Sequence, residues 1–435
     1  MRRDFLKLCG LAGLGLALPI ATSSDWEMAG RPAHAAEQGD EPYPGPYYVV
    51  FNASGGWDTT YLMDPKGANG INRLYQVGDI QTQGNHRFAP NKSHAQGGMT
   101  NEAFYAEFGA ELLCLNGLDY SVNNHSPGAR YMATGKLDSL AYPTFAALVA
   151  ACRGGSCPLA FLTFGNYSST GNLVAMSRVP YLPSLQRIAN ADSVEGNPRA
   201  PYHDDFAIER IERALREQRE LRGETPRLPR AERSENMLYM AQANSKALQR
   251  VTPHIPKDVP KERLAQQAEI ALASFKAGVC VSANLDIGQF DSHANNDPDQ
   301  MRLIPEFLAG VAYLLRRAAD LGIREQMVVV LQSEMGRTPT YNAGNGKDHW
   351  SIGSALFLGR GVKGNRVLGA TDEKQFAVPL NPANLQVEAE RGIRVRPEHV
   401  HEALRELAGI ADHPLSHKFP LGIPAEQKLT GFWGT

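Results

Sequence analysis

Six short apolar runs, separated by helical patterns, constrain the fold of this chain more than any other feature. The runs, each long enough for one buried strand, lie at residues 48–51, 111–115, 159–164, 279–285, 327–331 and 355–358. Helices are predicted between some of them, at residues 139–151 and 299–321, and after the last run, at residues 397–408. Strands that alternate with helices predict an α/β fold, with a largely parallel sheet covered by helices on both faces.

The composition excludes several classes of protein. Of the 435 residues, 43% are apolar and 21% are charged, which is normal for a soluble protein that buries a core. The 44 Lys and Arg residues nearly balance the 46 Asp and Glu residues, so we expect no nucleic-acid partner. The only long apolar stretch lies at the N-terminus and is shorter than the roughly 20 residues of a spanning helix, so the mature chain is expected to contain no integral membrane segment.

The N-terminal segment has the pattern of an export signal. Residues 2–7, with the sequence RRDFLK, match the twin-arginine pattern, and an apolar stretch follows at residues 8–20. Residues 33–35 (Ala-His-Ala) have the form of a cleavage site. We therefore predict a twin-arginine signal peptide at residues 1–36, recognised by the twin-arginine export machinery, and a periplasmic or otherwise exported mature protein.

Three further local features lead to expectations about the mature chain. Cys152 and Cys157 flank a flexible Arg-Gly-Gly-Ser turn, and we expect a disulfide between them in an oxidising compartment. Residues from about 204 to 275 are charged, favour helices and lack strand candidates, which predicts a solvated helical insertion. His399 and His401 lie on the last amphipathic helix and are expected on the surface.

Acidic and histidine residues follow several of the predicted strands. These residues are Asp58, Asp291, His293 and Glu334, joined by Asp348 and His349 after a Gly/Asn loop. Because ligands bind at the carboxyl ends of the strands in an open parallel sheet, we expect these side chains to converge. Carboxylates brought together in this way repel one another unless a cation holds them. A divalent metal ion (zinc, manganese, calcium or magnesium) with imidazoles as further ligands is the simplest hypothesis.

Other catalytic motifs are missing or incomplete in the sequence. There is no Gly-x-Ser-x-Gly motif, which argues against a standard α/β-hydrolase, and no His-Glu-x-x-His motif. Residues 359–364 have the glycine spacing of a dinucleotide-binding loop, but the residues that follow do not begin a convincing helix. We therefore interpret that segment as an ordinary loop.

Several of these segments together resemble the bacterial family called domain of unknown function 1501. The segments are the twin-arginine signal and residues 55–59 (GGWDT), 290–293 (FDSH), 333–338 (SEMGRT) and 346–350 (GKDHW). The likeness extends from about residue 45 to residue 425. That family resembles the alkaline phosphatase and sulfatase superfamily, which implies an alkaline phosphatase-like three-layer sandwich with a mostly parallel central sheet, a helical insertion and metals at the strand ends.

The same resemblance implies roles for individual residues. Metal ligands are implied at Asp58, Asp291, His293, Glu334 and His349, with Asp348 included as a neighbouring candidate. Residues 123–136 fall where the superfamily keeps its nucleophile, so Ser126 is a candidate nucleophile and His125 a candidate ligand or base. Alternatively, Ser126 only caps the following helix. Arg337 or Arg130 would neutralise charge that develops on the ester.

Two departures limit what the resemblance implies. Met335 stands where the phosphatases have a histidine, so a full two-zinc site is not expected. No Cys-x-Pro-x-Arg motif occurs, so a formylglycine-dependent sulfatase is not expected either.

The function predicted from the sequence is an exported, metal-dependent hydrolase of phosphate or sulfate esters. Its partner would be a small-molecule or polysaccharide ester substrate. The alternative is a non-catalytic periplasmic or cell-surface binding protein that retains the fold.

Overall fold

The computed structural model describes residues 41–67, 70–91, 98–165, 167–194, 197–223 and 244–434. The predicted signal peptide at residues 1–36 lies outside these ranges, as do residues 224–243 of the predicted helical insertion. Within the described ranges, no helix combines the length and apolar character needed to cross a membrane.

Among the described residues, the strands form a central mixed sheet and four small antiparallel pairs. In chain order they are β1 (Tyr47–Ala53), β2 (Gln81–Gln83), β3 (His86–Phe88), β4 (Leu113–Asp119), β5 (Phe161–Thr163), β6 (Met176–Ser177), β7 (Ser193–Val194), β8 (Asn197–Pro201), β9 (Ser282–Ile287), β10 (Met327–Gln332), β11 (Gly336–Arg337), β12 (His349–Trp350), β13 (Ile352–Gly359), β14 (Arg366–Leu368), β15 (Ala370–Thr371) and β16 (Ala377–Val378). The central sheet has eight strands in the order β14-β4-β13-β10-β1-β9-β5-β6. All its neighbouring pairs are parallel except the two made by β13.

Helices connect and cover these strands. They are α1 (Asn101–Phe108), α2 (His125–Thr134), α3 (Phe145–Gly154), α4 (Leu182–Ala189), α5 (Asp205–Gly223), α6 (Arg263–Lys276), α7 (Asn296–Asp320), α8 (Pro397–Leu407) and α9 (Pro414–His417). Short 3₁₀ turns occur at Thr59–Tyr61, Val77–Asp79, Gly109–Glu111, Thr252–His254, Arg324–Gln326 and Ala425–Gln427.

Strand β1 lies in the middle of the sheet, and its side chains alternate between two cores. Tyr47, Val49 and Phe51 face a core that includes residues of α1, α4, α6 and α7. Tyr48 and Val50 face a second core that includes residues of α3 and α8. The sheet is therefore covered on both faces, which confirms the predicted α/β three-layer sandwich with a mostly parallel central sheet.

The predicted strands exist, and their ends differ by a few residues from the prediction. The run predicted at residues 111–115 forms β4 (Leu113–Asp119), and the run at residues 279–285 forms β9 (Ser282–Ile287). The helix predicted at residues 139–151 begins later, at Phe145, because Thr144 is its N-cap and accepts a hydrogen bond from the Ala147 backbone N–H.

The two ends of the predicted helical insertion differ in burial. Helix α5 carries mostly exposed side chains among those that are described. Helix α6 is largely buried and packs in the same core as α7. Glu269 on α6 is fully buried and accepts hydrogen bonds from Tyr313 and Arg317 on α7, which pairs its charge inside the protein.

The surface positions expected for His399 and His401 are wrong. Both side chains are buried, because α8 packs against α2 and α3 instead of lying on the outside. The His401 Nε2 atom is 2.8 Å from the Met132 carbonyl oxygen, and its ring contacts Phe145 edge-on. The sequence showed an amphipathic helix but not that its histidines belong to the buried side.

The predicted disulfide between Cys152 and Cys157 is not formed in the structure, where both are free thiols. Cys152 lies on α3 and packs against the second core, where burial raises the pKa of its thiol. Cys157 lies beyond the end of α3, with its Sγ atom 3.9 Å from the Gly278 carbonyl oxygen.

Burial lowers the pKa of His401 to about 4, from an ordinary value of 6.5. Between these two values the unfolded chain binds a proton that the folded chain does not, so the free energy of unfolding should fall as the pH drops from about 6.5 to about 4. The contribution of this one group is about 3 kcal/mol. We expect His401→Gln, which keeps a donor for the Met132 carbonyl, to remove that part of the pH dependence in urea unfolding curves.

The matched control for this prediction is His417→Gln, at an exposed histidine of α9. It should leave the pH dependence of unfolding unchanged. A His401→Gln variant with the wild-type pH dependence would contradict the prediction.

Candidate functional site

Four chain segments meet at one edge of the central sheet. Strands β9, β1 and β10 are parallel neighbours, so the segments that follow them leave from the same edge. Strand β13 is antiparallel to both β10 and β4, so β4 points in the same direction as these three. The segment after β4 leads to α2, which begins at His125.

The loop after β1 approaches the site through two glycines. Gly55 and Gly56 have φ angles of 121° and 95°, in the left-handed region that favours glycine. A Cβ atom on Gly55 would overlap the backbone of Phe290 and Asp291. The glycines therefore let the β1 loop lie directly against the segment that carries Asp291.

The segment with His349 is joined to the site by a small antiparallel pair. Strand β12 pairs with β11, which places His349 opposite Arg337. The Asp348 backbone N–H also donates to the Thr338 hydroxyl, at 3.0 Å. These bonds fix the Gly/Asn loop and its histidine next to the connection that follows β10.

Three histidine Nε2 atoms converge on one carboxylate. The His125 Nε2 atom is 3.2 Å from Asp291 Oδ2. The Nε2 atoms of His293 and His349 are 3.1 and 3.2 Å from Asp291 Oδ1, and 2.9 Å from each other. The ligand atoms of His125, Asp291 and His349 all lie within 4.8 Å of one another. We call these four residues the histidine–aspartate cluster.

The other ring nitrogen of each histidine is held by an oxygen atom. The three pairs are His125 Nδ1 with Glu334 Oε1 at 3.0 Å, His293 Nδ1 with Asp348 Oδ1 at 2.9 Å, and His349 Nδ1 with the Asn123 carbonyl oxygen at 2.8 Å. Ionised carboxylates and carbonyl oxygens only accept hydrogen bonds, so each Nδ1 atom carries the proton. In a neutral imidazole, the Nε2 atom then presents its lone pair to the cluster.

This arrangement fits a metal ion. The atoms that converge are two carboxylate oxygens and three ring nitrogens with lone pairs, which together attract a cation. Metal-binding histidines typically donate their second ring N–H to a carboxylate or a carbonyl, as all three do here. His125, Asp291 and His349 therefore form a group that can hold a metal ion, and His293 lies in contact with two of them.

The charges around the cluster shift the pKa values of its members. The hydrogen bond to Glu334 raises the pKa of His125 against the opposing effect of burial. Burial acts to raise the pKa of Asp291, but Arg337 and the neighbouring histidines hold it below its ordinary value. Hydrogen bonds from Asn342 and His293 lower the pKa of Asp348. Both aspartates are thus kept ionised near neutral pH.

Arg337 is fully buried beneath the cluster. Its guanidinium donates to the carbonyl oxygens of Gly56 at 2.8 Å and Lys347 at 3.1 Å, and also to that of Gly55. One of its nitrogens is 2.8 Å from Asp291 Oδ1. These bonds position Asp291, and the guanidinium does not face the open side of the site.

The structure brings together most of the residues predicted for the site. Those that meet are His125, Asp291, His293, Glu334, Arg337, Asp348 and His349. Asp58 is fully buried and bonded to protein donors, including Lys347. The roles assigned to these residues from the sequence stay predictions.

Ser126 is exposed in the first turn of α2, beside His125. The N-cap of that helix is Asn124, so Ser126 does not cap it, contrary to the alternative considered from the sequence. Arg130, one turn further along α2, donates to the Leu137 carbonyl oxygen at 2.8 Å.

Three contributors to the site were missed by sequence reasoning. Lys347 pairs with Asp58, and the Asn123 carbonyl holds His349. The Asn342 side-chain amide donates to Asp348 Oδ1 and to the His293 carbonyl oxygen, both at 3.0 Å. Lys347 and Asn342 both belong to the Gly/Asn loop before His349. Their closeness to His349 in the sequence was the one signal that could have identified them as part of the site.

Together, the fold and the site define an α/β protein with a histidine–carboxylate centre at the carboxyl edge of a mixed sheet. The sequence matches the family model "Protein of unknown function (DUF1501)" over residues 48–400. The chain therefore belongs to this family, which confirms the resemblance found in the sequence. No curated protein was found to match the sequence.

Solved structures with a similar arrangement include Ps i-CgsB, with 8% sequence identity and a TM-score of 0.39, covering 90% of this chain and 76% of that one. A 2-O GAG sulfatase has 11% identity and a TM-score of 0.30, with 88% of this chain and 72% of the other covered. The lipoteichoic acid synthase LtaP from Listeria monocytogenes has 8% identity and a TM-score of 0.30, with 89% and 74% covered. These likenesses are distant and assign no activity to this chain.

The contact between Asp348 and His293 leads to a testable prediction. If the cluster holds zinc and Asp348 orients His293 through its Nδ1 atom, Asp348→Ala should weaken zinc binding about 10- to 100-fold without abolishing it. Zinc titration of metal-free protein measures this effect. Complete loss of binding would instead make Asp348 a ligand.

A suitable control is Asp138→Ala, because Asp138 is exposed and pairs only with Lys136 among the ion pairs of the described residues. Zinc affinity in this variant should equal that of the wild type. An equal loss in both variants would show that the effect of Asp348→Ala is not specific to the site.

Proposed function

We propose that this protein is a metal-dependent hydrolase of phosphate or sulfate esters. The observation that carries the proposal is the convergence of three imidazole Nε2 atoms on Asp291, with every Nδ1 atom held by an oxygen. The side chains of Asp291 and His293 are 42% and 47% exposed, so the cluster is open to solvent on one side. Catalytic metal sites keep such an open position, whereas structural sites are closed.

The donor set favours a transition metal such as zinc. Calcium and magnesium take mainly oxygen ligands, whereas imidazole nitrogens suit zinc and related metals. In this proposal His125, His293, His349 and Asp291 hold the ion. Glu334 and Asp348, which the sequence suggested as ligands, instead orient two of the histidines through their Nδ1 atoms.

Each part of the site has a role in ester hydrolysis. A bound divalent ion supplies Lewis-acid polarisation of the ester oxygen and activates a nucleophile. Arg337 keeps Asp291 ionised and in place. Helix α2 begins at His125, and the backbone N–H groups of His125 and Ser126 at its start favour an anionic ester.

The nucleophile is either the exposed hydroxyl of Ser126 or a water molecule. Ser126 directly follows His125 and is exposed to an incoming ester. Among the described residues, its hydroxyl forms no hydrogen bond with a base. The two routes are distinguished by Ser126→Ala, which abolishes turnover only if the serine attacks the ester.

The hydrolase proposal predicts coupled loss of metal and turnover. We expect His349→Ala to lose stoichiometric zinc, measured by plasma mass spectrometry. It should also lower kcat/KM for phosphate or sulfate esters, including polysaccharide sulfates, by at least about 100-fold, because the metal provides the charge stabilisation. His203→Ala is the control, since His203 is an exposed histidine that pairs with Asp192 away from the cluster.

Two results would contradict this prediction. A zinc content in His349→Ala equal to that of the wild type would show that the cluster does not hold the metal ion. Stoichiometric zinc in the wild type, without turnover of any phosphate or sulfate ester, would favour a non-catalytic binding protein that retains the fold.

We also propose that the protein is exported by the twin-arginine route, on the basis of residues 2–7. Replacing Arg2 and Arg3 together with lysine should prevent export, because that route requires the arginine pair. Cell fractionation followed by N-terminal sequencing of the exported form measures this. Arg31→Lys, outside the pattern, should be exported like the wild type, and export of the double-lysine variant would argue against the route.

A further inference from the structure

Protein donors occupy the hydrogen-bond acceptor positions of both Asp58 carboxylate oxygens. Its Oδ1 atom accepts from the Thr60 backbone N–H at 3.1 Å and from the Thr60 hydroxyl at 2.6 Å. Its Oδ2 atom accepts from the Asn296 amide at 3.0 Å and from the Lys347 ammonium at 2.7 Å. A carboxylate offers about four lone-pair positions, so none is left for a metal ion.

Lys347 is the other member of a buried ion pair with Asp58. Its side chain and that of Asp58 are both fully buried. The ammonium lies 5.1 Å from the centre of the Tyr341 ring and 5.8 Å from that of Tyr61, within the range of a cation–π interaction. A buried charge is strongly destabilising without its partner, so Asp58 and Lys347 depend on each other.

The position of Lys347 connects this pair to the histidine–aspartate cluster. Its backbone N–H donates to the Ser292 carbonyl oxygen at 3.0 Å. Its own carbonyl oxygen accepts from Arg337 at 3.1 Å. Asp348 and His349 follow it directly in the chain. The ion pair thus ties the loop after β1 to the segment that supplies one histidine of the cluster.

We infer that the Lys347 ammonium is the permanent counter-ion of Asp58. Asp58 is then not a metal ligand, and the protein holds a single metal ion, at the histidine–aspartate cluster. The claim that the protein holds one metal ion rests on the metal site of the proposed function. The inference about Asp58 replaces the ligand role that the sequence suggested for this residue. Lys347 acts on stability through its pairing with Asp58, because its ammonium touches Asp58 and not the converging ligand atoms.

The experiment uses the full chain, reconstituted with zinc, in three variants: Asp58→Asn, Lys347→Met and the double variant. The zinc content is measured by plasma mass spectrometry, the zinc affinity by titration, and the stability by the midpoint temperature of unfolding. The control is the double variant Asp64→Asn, Lys66→Met, which removes another buried lysine–aspartate pair, with an N–O distance of 3.1 Å.

We expect about one zinc ion per chain in the wild type and in the double variant, with zinc affinities within about threefold of each other. Each single variant should unfold at a lower temperature than the double variant, because each leaves one buried charge unpaired. The control should lose stability with no change in zinc content. If Lys347→Met does not fold, the comparison of Asp58→Asn with the double variant still tests the pair.

Three results would overturn the inference. One is two zinc ions in the wild type, falling to one in the double variant. Another is a folded double variant whose zinc affinity is more than about tenfold weaker, as expected when a ligand is removed. The third is a double variant that is no more stable than Asp58→Asn.

The proposed function fails under different results. Absence of zinc from the wild type would contradict both the proposed metal site and the claim of a single ion. The unfolding temperatures would still test the ion pair between Asp58 and Lys347. One zinc ion per chain without ester turnover would remove the hydrolase proposal and leave the inference intact.

Discussion

The buried guanidinium of Arg337 connects the segments on which the site depends. It donates to the backbone of Gly55 and Gly56 in the loop after β1, and to the backbone of Lys347 in the segment before His349. It also pairs with Asp291 after β9. Arg337 itself follows β10, so one side chain links the connections of three neighbouring strands to the segment with His349. Its burial makes these bonds strong and the loss of any one of them costly.

The charge balance of the site follows from that arrangement. The cluster gathers ring nitrogens with lone pairs around a carboxylate, and Arg337 donates to that carboxylate from the buried side. The carboxylate of Asp58, in the segment after β1, is instead paired with Lys347. The protein therefore supplies a cation of its own at Asp58 and leaves an electron-rich, solvent-facing position among the histidines.

Much of the fold was readable from the sequence, because buried strands of an α/β protein are nearly continuous apolar runs. Residues 48–51 and 327–331 belong to β1 and β10, and their parallel pairing agrees with the mostly parallel sheet that was predicted. Burial of polar residues was less readable. His401 lies on an amphipathic helix that packs between two other helices, and a single helix pattern does not show which neighbours will cover its polar side.

The sequence by itself determined which kinds of side chain stand at the ends of the strands, because parallel strands bring their carboxyl ends to one edge whatever their order. It thus pointed to one group of side chains, made up of Asp58, Asp291, His293, Glu334, Asp348 and His349. Only the tertiary structure decided what each group faces. The partner of Asp58 is a lysine 289 residues away, and the acceptors that fix the histidine tautomers come from other segments. Such contacts depend on distances of a few ångströms between segments remote in the chain, which residue types and spacing do not specify.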